Sequence, residues 1–160
     1  HDPLRRQRQM CIRDRIKLIQ ILHLGLQKKL KIKNPSITVL GLNPHAGENG
    51  KIGAEEIKKI NPAIKVCKEM GINASYAISA DTAFNVKKLK QTDAYLAMYH
   101  DQALPVLKAL SFGEAVNITL GAPIVRTSVD HGTAIDIAGK IKPNLGSIKE
   151  AIKAAEIQLQ

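Results

Sequence analysis

An α/β layered fold, a sheet with flanking helices, is predicted by three features of this 160-residue chain. Helical and strand-like periodicities alternate along it, the strand-like runs are short and continuously apolar, and polar loops rich in Gly, His and Asn follow them. Ile16, Ile19, Leu22, Leu26 and Leu30 recur at intervals of three and four, which predicts an amphipathic helix with Lys17, Gln20, His23 and Gln27 on its wet side. Asn34-Pro35-Ser36 ends that helix. Ile37 to Leu42 then predicts a buried strand, and Asn43 to Gly53 a glycine-rich loop. Ala54 to Met70 returns to helical spacing, with Pro62 as a kink or boundary and Gly71 as the stop. Ala74 to Ser79 is a candidate short strand. Asp93 to Tyr99 predicts a second buried strand that delivers His100-Asp101-Gln102 at its carboxyl end, as the first delivers Asn43-Pro44-His45. Open α/β sheets place ligands at strand ends of this kind. Pro105 to Leu110 predicts a short helix, Ala115 to Leu120 a strand, and Gly121 to Lys142 a long loop. Ser147 to Leu159 closes the chain as a helix, with Ser147 and Glu150 spaced as a capping box.

Composition narrows the class. A mass of 17.5 kDa supports one domain or part of one, and 44% hydrophobic with 24% charged residues is ordinary globular content. No run reaches the roughly 18 apolar residues of a spanning helix, and no apolar stretch of a secretory signal follows the first arginines, so a cytoplasmic protein without membrane contact is expected. Cys11 and Cys67 have neither metal-ligand spacing nor disulfide-scaffold density. The formal net charge of +10 is concentrated: residues 1–33 hold ten Lys and Arg against two acids, the rest 14 against 12. With five aromatics and no Trp, stacking platforms for nucleic acid are absent from the pattern. A solvated basic face without a nucleic-acid partner is the better reading.

Polar chemistry gathers in four blocks. Two each place one histidine after a strand, His45 and His100, with Glu48 and Asp101 as neighbouring carboxylates. Imidazole is a common ligand of zinc, and a carboxylate on its other nitrogen orients it, so two such histidines on neighbouring strands are candidates to share a metal. The 55-residue separation is no metal motif, and each imidazole hydrogen-bonded within its own loop fits the spacing equally. A third block is Lys108, Asn117 and Arg126. Arg and Lys suit a phosphorylated small molecule, although a surface Lys and Arg satisfy the same pattern. The fourth, Arg126 to Lys140, is dense in Gly, hydroxyls, acids and His131; it suits a nucleotide but has neither standard glycine fingerprint.

Six blocks in order, GLNPHAGE (Gly41 to Glu48), ADTAF (Ala80 to Phe84), AMYHDQ (Ala97 to Gln102), LPVLK (Leu104 to Lys108), VNITLGAP (Val116 to Pro123) and RTSVDHGTAIDIAGK (Arg126 to Lys140), closely resemble the 4-hydroxythreonine-4-phosphate dehydrogenases of vitamin B6 biosynthesis. The resemblance runs from about Ile16 to the C-terminus. It implies a partial fold similar to isocitrate and isopropylmalate dehydrogenases, whose nucleotide site lacks the Rossmann fingerprint, so the missing fingerprint no longer counts against a dinucleotide. It implies oxidation and decarboxylation of 4-phosphohydroxy-L-threonine with NAD or NADP and a divalent metal such as Zn, Mg or Co. By position, His45 and His100 match two metal ligands of the family, and His1, in His1-Asp2-Pro3-Leu4-Arg5, matches the third. Lys108, Asn117 and Arg126 match substrate-binding positions. His131, Gly132, Thr133 and Asp136 match the stretch near the nicotinamide cofactor. Asp101 is the candidate catalytic carboxylate, either orienting His100 or moving a proton. A homodimer with shared active sites is implied as well.

The chain departs from the family at Tyr76-Ala77, where Gly-Pro is usual, at Asn49 within a customary Gly pair, at Ala122 and at Ile141. Residues 1–15 form an atypical basic segment that reads as non-native, and residues 16–160 as the C-terminal part of a chain about twice as long. Two alternatives accompany this reading. One is a sister dehydrogenase acting on erythronate or threonate 4-phosphate, and the other an inactive metal- or nucleotide-binding fragment.

Overall fold

Ile37, Thr38 and Val39 form β1 (Ile37–Val39), and all three are buried, as a strand covered on both faces requires. β2 (Ala94–Leu96) lies parallel beside it in the register Ile37 to Ala94, Thr38 to Tyr95 and Val39 to Leu96. On the opposite edge, residues 74–78 bridge β1 in parallel at Ile37–Ala74 and Leu40–Ile78. This computed structural model describes residues 11–111, 114–132, 135, 139 and 144–159. They fall into two compact units, His1–Ala103 and Leu104–Gln160.

In the first unit, α1 (Ile12–Lys29) lays Ile19 and Leu26 into the core, as its spacing predicts, and Ile16 and Leu22 pack beside them. Its end is a left-handed cap: Lys31 sits at φ 58° while the Ile32 N–H reaches back to the Leu26 carbonyl at 3.1 Å. A π-helical turn, Glu56–Ile60, runs into α2 (Asn61–Glu69), with Pro62 at the junction where a missing N–H does least harm. Ile60, Ile64 and Cys67 face the same core, joined by Ile72 and Ala74. Burial pushes the Cys67 thiol pKa up, so it behaves as a small apolar side chain.

The candidate strand at Ala74 to Ser79 is realised as two bridges rather than a ladder. Its interruption at Tyr76-Ala77 is covered by side chains: the Val39 N–H donates to Ser75 Oγ at 3.0 Å and the Ala77 N–H to Asn61 Oδ1 at 2.9 Å. Two short helices, α3 (Ala80–Ala83) and α4 (Val86–Leu89), follow, and Asn85 Oδ1 caps the second by accepting from the Lys88 N–H. Phe84 and Tyr95 stack with ring centroids 4.8 Å apart, and the Tyr95 hydroxyl donates to the Ala83 carbonyl, which seats α3 against β2.

The second unit holds α5 (Leu104–Leu110), the hairpin of β3 (Val116–Ile118) and β4 (Thr127–Val129), and α6 (Gly146–Leu159). β3 and β4 pair antiparallel, Asn117 opposite Ser128. The sequence pattern predicts a loop where β4 lies. Thr127 and Val129 alternate with Ser128 and Asp130 as a strand requires, but the run is only three residues long and sits among the turn residues Gly121, Pro123 and Gly132. α6 also starts differently from the predicted capping box. It begins at Gly146, whose N–H donates to Asn144 Oδ1, and Ser147 is buried in the first turn, its hydroxyl directed at Asp130 Oδ1 and the Ala115 carbonyl. Glu150 pairs with Lys153 instead.

Arg15 is the least well satisfied polar group of the first unit. It is 4% exposed, its Nε has no partner, and a terminal nitrogen faces the Met98 thioether, while Asp14 accepts from the Cys11 N–H and thiol instead. Desolvation pulls the guanidinium pKa down, so burying its charge opposes folding. The Arg15→Leu variant is expected to be more stable by about 1 kcal/mol in urea unfolding. An equal loss of stability would show that the guanidinium contributes after all.

Candidate functional site

Because β1 and β2 are parallel neighbours, the loops after them emerge at the same sheet edge. One carries His45, the other His100. His45 stands on a tight turn, Pro44–Gly50, in which His45, Ala46, Gly47, Glu48 and Asn49 all have positive φ, from 42° to 80°. Left-handed backbone costs a non-glycine residue about 1–2 kcal/mol, so a run of five is held by its surroundings. Asn49, where the resemblance expects glycine, is the residue type that tolerates φ 55° best after glycine.

Each imidazole is backed by a carboxylate through Nδ1. His45 Nδ1 lies 3.2 Å from Glu48 Oε1, and His100 Nδ1 lies 2.5 Å from Asp101 Oδ1. The rings are 62% and 78% exposed. A carboxylate on Nδ1 presents Nε2 outward as the available ligand nitrogen, the arrangement found around metal-bound histidine. The chemistry of this donor pair therefore fits a divalent ion, and the predicted partnership of Asp101 with His100 is present.

Gln102, which the sequence patterns leave without a role, ties the two loops together. It is buried; its Nε2 donates to the Gly41 carbonyl at 2.6 Å and its Oε1 accepts the Met98 N–H at 2.7 Å. A cavity of about 290 Å³ opens at this edge, lined by His45, Asn43, Asp81, Tyr99 and Gln102 among others. Asp81 is a second residue without a prior assignment. The Ser79 hydroxyl first, then the Thr82 N–H and nearby His45, hold its carboxyl below the usual range, so it is anionic at neutral pH. A carboxylate inside the ADTAF block was the signal that could have marked it.

The second unit holds the cationic and polar candidates. Lys108 on α5 donates to Asp130 Oδ2 at 2.8 Å and to the Asp130 carbonyl, and Asp130 also accepts from Ser147 Oγ. Lys108 is thus engaged in an ion pair rather than free. Asn117 and Arg126 project from the same side of the hairpin, since the Thr119 N–H donates to the Arg126 carbonyl two pairs beyond Asn117–Ser128. Thr127 points to the other side, where its hydroxyl donates to the Ala151 carbonyl of α6. Arg126 is exposed and its guanidinium reaches Thr119 Oγ1 at 3.1 Å. His131 and Gly132 are exposed next to Asp130, with His131 Nδ1 3.0 Å from the Gly132 carbonyl. His1, Thr133 and Asp136 lie outside the described residues. Among the described residues, no group of three or more His, Cys, Asp or Glu is close enough to hold a metal ion. No described helix is long and apolar enough to cross a membrane.

A parallel α/β core with a carboxylate-backed imidazole on the loop after each of two neighbouring strands, and a second unit of a hairpin with helices, has the fold class of part of an α/β dehydrogenase. The family model described as "Pyridoxal phosphate biosynthetic protein PdxA" matches residues 1–155, and the chain belongs to that family. It is 56% identical over 139 residues to a 4-hydroxythreonine-4-phosphate dehydrogenase from Chromobacterium violaceum, covering 87% of this chain and 42% of that one. The solved structure of a 4-hydroxythreonine-4-phosphate dehydrogenase from Klebsiella pneumoniae superposes with a TM-score of 0.80 at 37% identity, covering 94% of this chain and 46% of that one. A terephthalate 1,2-cis-dihydrodiol dehydrogenase from Burkholderia xenovorans LB400 gives 0.73 at 25% identity, covering 98% and 50%. The chain spans about half the length of the curated relatives it matches.

Replacing Gln102 by Leu leaves the Gly41 carbonyl and the Met98 N–H without partners, and is expected to destabilise the chain by about 2 kcal/mol in chemical denaturation. A second expectation follows from Asp130. Lys108, then Ser147, lower its folded pKa, so the stabilisation is full above its unfolded value of about 3.9 and is lost as the pH falls through the lower folded value. Protection factors of the β4 amides, exchange rates corrected for the intrinsic pH dependence, should therefore fall in acid, and Asp130→Asn should flatten that dependence.

Proposed function

We infer that this chain is the C-terminal part of a 4-hydroxythreonine-4-phosphate dehydrogenase, acting in pyridoxal phosphate biosynthesis on 4-phosphohydroxy-L-threonine. The observation that carries the reading is the parallel register of β1 and β2, which gives His45 and His100 one sheet edge with a carboxylate behind each ring. The reaction that the family resemblance implies oxidises the substrate alcohol to a ketone; loss of carbon dioxide from the resulting β-keto acid then leaves an amino ketone phosphate.

His45 and His100, with His1, would hold the divalent metal. When bound, zinc or a similar ion lowers the pKa of the substrate alcohol and draws electron density from the carbonyl during decarboxylation. NAD or NADP, when bound, takes up the hydride. The chain's own groups do the rest. Asp101 orients the His100 ring through Nδ1 and stands within reach of a proton at that edge. Lys108 and Arg126 neutralise anionic groups of the phosphorylated substrate, and Asn117 orients it from the exposed hairpin face. Engagement of Lys108 by Asp130 keeps that ammonium in place until an anion competes for it. His131, Gly132, Thr133 and Asp136 form the segment proposed to lie against the nicotinamide cofactor.

The same reading includes a cytoplasmic homodimer with shared active sites. It also takes residues 1–15 as non-native and residues 16–160 as the family's polypeptide. A sister dehydrogenase for erythronate or threonate 4-phosphate is a second reading. The likeness to the terephthalate dihydrodiol dehydrogenase favours it, because that protein's name shows this half-fold serving a different alcohol.

The test is calorimetric titration of the chain with zinc beside the His45→Ala, His100→Ala double variant, with the solution mass recorded. About one equivalent per chain, lost in the variant, is expected. Binding that survives in the double variant would overturn the assignment of these two histidines.

A further inference from the structure

Glu56 is buried at 2% exposure, on the first residue of the π-helical turn, yet it belongs to none of the groups assigned above. Its carboxylate is turned entirely toward the start of the left-handed turn. Oε1 accepts the Asn43 N–H at 2.8 Å, and Oε2 accepts Asn43 Nδ2 at 2.9 Å. Asn43 Nδ2 also donates to Glu55 Oε2 at 2.7 Å, which holds the Glu55 carboxyl below its usual range. Asn43 is thereby fixed by backbone and side chain together, two residues before His45.

The far side of the turn closes on the same carboxylate. A Cβ on Gly47 would stand 2.8 Å from Glu56 Oε2 and 2.6 Å from the Gly53 carbonyl, at a φ of +80°. A Cβ on Gly53 would meet the Asn43 side chain at 2.3 Å. At its ends the turn is tied by Ala46 N–H to the Asn43 carbonyl, Lys51 N–H to Glu48 and Gly47, and Ile52 N–H to Gly47. Five left-handed residues in sequence, four of them not glycine, carry a backbone cost that contacts from outside the turn help to offset. From the first residue of the π-helical turn, the Glu56 side chain reaches Asn43.

The geometry points to Glu56 as a positioning residue: its buried carboxylate, acting through Asn43 and against Gly47, clamps the left-handed turn and so sets where the His45 imidazole stands at the sheet edge. The assignment rests on the reading of His45 as a metal ligand only for its functional consequence; the clamp itself is a statement about the turn. Glu56→Gln keeps the shape but turns an amide nitrogen toward donors, so one of the two bonds to Asn43 is lost.

The experiment uses the 160-residue chain, isotopically labelled, with two readouts. In Glu56→Gln the amide signals of residues 43–49 and the His45 ring signals are expected to shift or broaden, while the rings of His23 and His131 stay in place. Zinc affinity is expected to fall roughly tenfold or more, as when the groups supporting a metal-bound histidine are removed. Unchanged signals at residues 43–49 in a folded variant would overturn the proposal, and so would changes spread over the whole chain, which mark general destabilisation. Should Glu56→Gln not fold, Asn43→Ala removes only the side-chain arm and must give the same local pattern; failure of both to fold also counts against a positioning role. If the unaltered chain binds no zinc, the metal reading of His45 fails while the magnetic resonance arm still decides the clamp.

Discussion

The arrangement depends on β1 being bonded on both edges and buried on both faces. Three residues are enough for this because neighbours satisfy every exposed turn of the ladder: Leu40 N–H reaches the Leu96 carbonyl, Gly41 N–H reaches Ile78, and Ser75 Oγ takes the Val39 N–H where the flanking segment breaks away. A central strand so short has no freedom of register, since a slip by one residue would orphan these donors. The parallel direction of β2 follows from the helical crossover between them, and it puts both histidine loops at one end. The common position of the two histidine loops is therefore a consequence of pairing within the sheet.

The two units spend their polar groups differently. In the first, buried polar side chains are structural braces: Gln102 joins the ends of both strands, Glu56 holds Asn43, and Asn61 covers the Ala77 N–H. The imidazoles themselves stay in water, available to a ligand. In the second unit Asp130 is the hub, accepting from Lys108 and Ser147 and thereby linking α5, the end of β4 and the first turn of α6. Ala151 is the single fully apolar side chain buried in that unit among the described residues, and Ile148, Ile152, Ile157 and Leu159 of α6 are about half exposed or more. Polar contacts thus carry an unusual share of its internal order.

Much of this was legible in the residues alone. The spacing of Ile16, Ile19, Leu22 and Leu26 marks α1, the apolar runs at Ile37 and Asp93 mark β1 and β2, Pro62 marks a boundary and Gly71 a stop, and all of these signals are local. The histidines, Asp101 and the Lys108, Asn117 and Arg126 group were visible as side chains able to bind, and the ordered blocks around them carry the family likeness. β4 was hidden because its three residues sit within a stretch of Gly, Pro, Ser and Asp, and the cap of α6 because Ser147 had a stronger claim on its hydroxyl in Asp130 than at a helix end.

Sequence by itself determined the elements, the α/β class and the chemistry of the strand-end side chains, since propensity, periodicity and residue type act over a few neighbours. Tertiary structure decided which groups work together. Gln102 bridging to Gly41 spans 61 positions, and Thr38 meeting Thr92 spans 54. Glu56 closing on Asn43 requires a π-helical turn and a left-handed turn to face each other. No local preference encodes such pairings, because their energy comes from burying and satisfying both partners at once.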